Sequence, residues 1–71
     1  MSQVSEASLA LKYALRATEL SDDVNIWDTV IEAYLANGMK ADALRVCREE
    51  IAKHPSEQIL KDRLKQLEGM K

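Results

Sequence analysis

Cys47 and His54 are the two residues of types most often recruited for covalent or proton-transfer chemistry. A thiolate nucleophile needs a base within hydrogen-bond reach. These two stand seven residues apart on one helix-forming segment; the rise between them, about 11 Å, is too long for a direct pair. Cys47 lies mid-segment among apolar neighbours, which suits a small packed residue better than an activated thiolate. His54 ends its segment, where the partial negative charge of a helix C-terminus favours a protonated ring and a capping role. No second titratable group is evidently arranged around it. One His and one Cys are too few for a metal site, and scattered carboxylates add little. Trp27 and Tyr34 could stack a base, but their spacing suits a helix core. There is no glycine-rich phosphate loop. The expectation is a non-catalytic chain with no cofactor and no metal.

Bulk properties narrow the classes further. Seventy-one residues make one domain, 1–71, near the lower end of what folds alone. A core of this size leaves only ~3–5 kcal/mol of net stability, so any exposed apolar strip matters. A hydrophobic fraction of 46% argues against disorder, and two Gly with one Pro favour long helices joined by short turns. The formal charge of −2 lacks the basic excess of a nucleic-acid binder. One cysteine excludes an internal disulfide framework. No apolar run approaches a membrane span and no leader pattern opens the chain, so a cytoplasmic protein is expected.

Four amphipathic segments follow. In the first, about residues 5–20, Leu9, Tyr13, Ala17 and Leu20 share one face, with Ala10 and Ala14 beside them. Val4, Leu11 and Leu15 form a second stripe turned well away, so this helix asks for cover on two sides. Ser21, Asp22 and Asp23 stop it and supply an N-cap. The second segment, about 24–36, carries Trp27, Val30, Ile31 and Tyr34 on one face, and Asn37-Gly38 ends it as a left-handed C-cap rather than a hairpin turn. The third, about 40–53, buries Ala43, Leu44, Cys47 and Ile51 and stops at His54-Pro55. The fourth, about 56–69, turns Leu60, Leu64 and Leu67 inward and Lys61, Asp62, Lys65 and Glu68 outward, with Gly69 as C-cap. The fold class is all-α.

From Trp27 the chain reads WDTVIEAYLANGMKADALRVCREEIAKHP. This resembles the tetratricopeptide repeat, with Trp27 and Tyr34 at its aromatic positions, Val30 for its leucine, Ala43 for its small residue and Pro55 closing it. Ile31 stands where that family places Gly or Ala, and Cys47 where it places a large apolar residue. A larger side chain on one helix could offset a smaller one on its partner. The first segment resembles the second helix of a preceding repeat, and the fourth a polar capping helix. The resemblance implies four antiparallel helices in a right-handed array of helical hairpins. The same stretch is also similar to a pentatricopeptide helix pair, a relative that usually reads single-stranded RNA, with Thr29 as the base reader.

In a tetratricopeptide array the first helix of each repeat lines a groove. The resemblance puts Asn25, Asp28, Glu32, Leu35 and Ala36 there, and implies an acidic groove for a basic or amphipathic helical segment of a protein partner. It implies, too, that the Val4, Leu11, Leu15 stripe is where a preceding helix, a second copy or another protein packs. A protein–protein interaction module is the expected function, possible homo-oligomerisation included. RNA contact and a purely structural terminal or dimerisation segment are the alternatives.

Overall fold

The computed structural model describes residues 6–70. Four helices account for most of them: α1 (Glu6–Leu20), α2 (Val24–Ala36), α3 (Lys40–Lys53) and α4 (Gln58–Glu68), with no strand among the described residues. The connections, 21–23, 37–39 and 54–57, are short, and each helix packs on the next. In addition α2 packs on α4, whereas α1 touches α2 alone among the described residues. The result is a thin body, 45 × 33 × 14 Å. Its shortest extent fits two helix layers.

Local chemistry sets the boundaries. Asp23 is in extended conformation at the head of α2, and its side chain accepts the Asn25 N–H at 2.8 Å. That satisfies one of the orphan donors of the first turn. At the other end Gly38 has φ 71°, Met39 N–H donates to Tyr34 O at 2.8 Å and Gly38 N–H donates to Leu35 O at 3.0 Å. This paired pattern is a Schellman stop, and it needs a residue free to enter the left-handed region. Asn37 closes the same corner by donating from Nδ2 to Ala33 O at 2.7 Å and across to Ala7 O of α1 at 2.8 Å. Past Pro55 the chain takes a turn through Ser56, so α4 starts at Gln58, slightly later than the sequence pattern places it. Gly69 is the C-cap of α4 as expected but has φ −81°, so it needs no glycine.

The core is one cluster of Ala14, Val30, Ile31, Ala43, Val46, Cys47, Leu60 and Leu67, with Trp27, Tyr34, Leu44, Ile51 and Leu64 packed on it. Ile31 and Cys47, the two departures from the repeat pattern, are both fully buried in it. The Cys47 thiol donates to Leu60 O at 3.3 Å, tying α3 to α4.

The two stripes of α1 exchange roles relative to the sequence reading. Ala14 is buried, Leu15 packs on the core and Leu11 is half-buried, whereas Leu9, Tyr13 and Leu20 are exposed. At 100° per residue these three sit almost opposite Leu11. The physical reason is that Ala7 and Ala14 flank Leu11 and Leu15, and small residues let α1 approach α2 closely.

Gly38 has open space where a Cβ would stand, whereas a Cβ on Gly69 would make ordinary contacts at 3.5 and 3.6 Å. Gly38→Ala therefore costs about 1 kcal/mol through backbone strain alone, and Gly69→Ala costs nothing measurable. Urea unfolding of the two variants checks this; equal stabilities would mean the left-handed stop is not retained.

Candidate interaction surfaces

The acidic pair on α2 is not free. Arg63, projecting from α4, donates from Nε to Asp28 Oδ1 at 2.9 Å, from Nη2 to Asp28 Oδ2 at 3.0 Å and from Nη2 to Glu32 Oε1 at 2.7 Å. The planar guanidinium matches a carboxylate in this two-pronged way, which a lysine cannot do. Arg63 is only 15% exposed, so solvent screens the contact less than it would a surface pair. The Asp28 hydrogen bonds are the largest cause raising the Arg63 pKa further above its ordinary value. A shallow depression of about 250 Å³ lies against this clasp, lined by Asp28, Ile59, Asp62, Arg63 and Gln66.

The remaining groove positions are unequal. Asn25 and Ala36 are exposed, while Leu35 is half-buried and packed on the core. The charge of Asp28 and Glu32 is answered from within the chain by Arg63. Thr29 is exposed, and its hydroxyl donates to Asn25 O at 3.0 Å. Sequence reasoning missed Arg63 because its partners lie 31 and 35 residues away. The one available signal was a charged residue flanking the inward Leu60–Leu64–Leu67 face.

On α1, Leu11 and Leu15 serve the fold as described, and Val4 lies outside the described residues. The exposed apolar row is Leu9, Tyr13 and Leu20, with Tyr13 62% and Leu20 87% exposed. Arg16 lies among them on the helix surface and is exposed.

A third group assembles where the α1–α2 connection meets the C-terminus of α3. His54 Nε2 lies 3.2 Å from Asp22 Oδ2 and 3.9 Å from Glu50 Oε1. This corrects the expectation that no titratable group surrounds His54: the partners come from the preceding turn of α3 and from the α1–α2 connection. Trp27 Nε1–H donates to Asp22 Oδ1 at 2.9 Å, the largest cause holding the Asp22 carboxyl below its ordinary range, with His54 contributing. Lys53 Nζ pairs with Glu50 Oε2 at 3.2 Å and sits 5.7 Å from the Trp27 ring centre. Its hydrogen bond to Glu50 raises the Lys53 pKa. Cys47 belongs to none of these groups, and burial pushes its thiol pKa up, away from the reactive thiolate.

No family model matches the chain, and no curated protein and no solved structure matches it. Among the described residues no helix is long and apolar enough to cross a membrane.

If the Arg63 clasp fixes α4 on α2, Arg63→Met lowers stability by about 1–2 kcal/mol, between the exposed and buried limits for ion pairs. Arg63→Lys recovers less than half of that. A double-mutant cycle with Asp28→Asn, read by urea unfolding, tests the pair directly; additive effects would show that it contributes nothing.

Proposed function

We propose that this chain is a non-catalytic protein-binding module of the helical-repeat kind, with the outer side of α1 as its contact face. One observation carries the reading: among the described residues α1 packs on α2 alone, and it presents Leu9, Tyr13 and Leu20 on its opposite side. A tyrosine beside leucines offers large apolar area with one polar handle, the composition favoured in interfaces. Because the row follows helical spacing, an amphipathic helix lying along α1 suits it best. A second copy of the chain and a different protein are both sources of such a helix. The resemblance of Trp27–Pro55 to a tetratricopeptide repeat supports the same reading, since such helices are covered on both sides by neighbours.

The α2 groove is the lesser surface in this proposal. Arg63 offsets much of the negative charge that would draw a basic ligand. Cys47 is buried with its thiol donating to Leu60 O, which suits a packing role.

Leu9→Glu/Tyr13→Glu alters exposed positions, so the melting temperature is expected to stay within a few degrees of the parent. Sedimentation velocity over a hundredfold concentration range is expected to show self-association of the parent and its loss in the variant. If the parent stays monomeric, quantitative cross-linking in cells is expected to lose its contacts in this variant and keep them in Glu32→Lys. Unchanged behaviour of Leu9→Glu/Tyr13→Glu in both measurements would sink the proposal.

A further inference from the structure

We propose that Asp22, Glu50 and His54 form a binding site for one divalent transition-metal ion of the zinc class. One ligand atom of each residue lies within 4.8 Å of the other two, and His54 Nε2 is 3.2 Å from Asp22 Oδ2 and 3.9 Å from Glu50 Oε1. Bound to zinc, neighbouring N and O donors stand about 3–3.5 Å apart, so the triangle has to contract only modestly. Asp22 stands exposed on the connection between α1 and α2, so solvent and an ion can reach the triangle from its side.

The independent observation is Glu50. Its side chain is 2% exposed, and Oε1 has no hydrogen-bond partner among the described residues. A buried carboxylate oxygen left without a donor is costly, and this one lies 3.9 Å from the imidazole nitrogen that also faces Asp22. A cation coordinated between the three groups removes that cost.

The surroundings divide the work as metal sites do. Trp27 Nε1–H holds Asp22 Oδ1 and Lys53 holds Glu50 Oε2, in each case the oxygen turned away from the triangle. Such outer partners fix the orientation of the ligating atoms. The site also lies at the C-terminus of α3, where His54 is the cap residue and the helix carbonyls favour positive charge. Imidazole with two carboxylates suits zinc, nickel or ferrous iron; magnesium and calcium prefer oxygen alone. Three protein ligands leave at least one position for water or a group from a partner.

The whole chain can be tested with zinc chloride, because His54 is its only histidine and Trp27 its only tryptophan. Calorimetry is expected to show one zinc ion per chain, the His54 imidazole nitrogen resonances to shift in step, and magnesium to do neither. Asp22→Asn and His54→Ala are each expected to weaken zinc by about tenfold or more. Cys47→Ala is expected to bind as the parent does. Far-ultraviolet circular dichroism of each variant shows that it has folded. Zinc binding weaker than about 100 µM, binding retained by His54→Ala, or binding lost with Cys47→Ala would each overturn the site.

Discussion

The contact of α2 with all three other helices is what the rest of the structure hangs on. Val30 and Ile31 are wholly buried on it, and both belong to the single core cluster. A fully buried side chain of this size contributes about 1.5–3 kcal/mol. Deleting one large core side chain costs roughly 2–5 kcal/mol, as much as the whole net stability of a domain this small, ~3–5 kcal/mol. There is no redundancy in such a core, so the caps at both ends of α2 matter as much as its apolar face. Asp23 starts it and Gly38 stops it, and a slip at either would turn Val30 and Ile31 off the core.

Around that hub the polar contacts act at edges. Arg63 joins α4 to α2 on one face; it and Asp28 are largely shielded while Glu32 stays in solvent, so the interaction gains direction without the full cost of burying bare charges. Asn37 joins α2 to the start of α1. Lys40 Nζ donates to Met70 O and joins the head of α3 to the end of α4. Asp22 joins the α1–α2 connection to Trp27 and to the end of α3. Thin apolar seams between short helices fray from their ends, and these contacts sit where the seams open.

What the sequence reveals and hides follows from the range of each interaction. Helix limits near 20, 24, 36, 40 and 53 were legible because Asp23, Asn37-Gly38 and His54-Pro55 act on their own neighbourhood. The inward faces of α2 and α4 were legible because each has one apolar side; on α3 the burial of Val46 and Glu50 in place of a full Leu44–Ile51 row was not. On α1 two apolar stripes compete, and the bulkier Leu9–Tyr13–Leu20 row looked the more core-like. Close packing chose the other, since Ala7 and Ala14 make room for Leu11 and Leu15 against α2. Of the groove, Asp28 and Glu32 sharing a face was legible from their spacing, but the Arg63 contact was not, because the docking of α4 sets it. His54 failed partly for the same reason, since Asp22 is 32 residues away, whereas Glu50, one turn back on α3, lay within local reach.

The Asp22–His54 contact also shows how a small chain can be stabilised from its edge. Ordinarily a carboxylate as buried as Glu50 is fully paired; here one oxygen faces Lys53 and the other faces the histidine without a bond. The folded state keeps this uncompensated atom because Val46 and Cys47, on the same face of α3, are buried with it. Any cation bound only when Asp22, Glu50 and His54 are assembled stabilises the folded chain by mass action, about 2.7 kcal/mol at a hundred times its dissociation constant. Set against a net stability of ~3–5 kcal/mol, that is a large fraction. The three residues lie on α3 and on the connection leading into α2, so the gain would fall on the hub contact itself. Binding of an ion at this corner and folding of the chain are therefore linked equilibria.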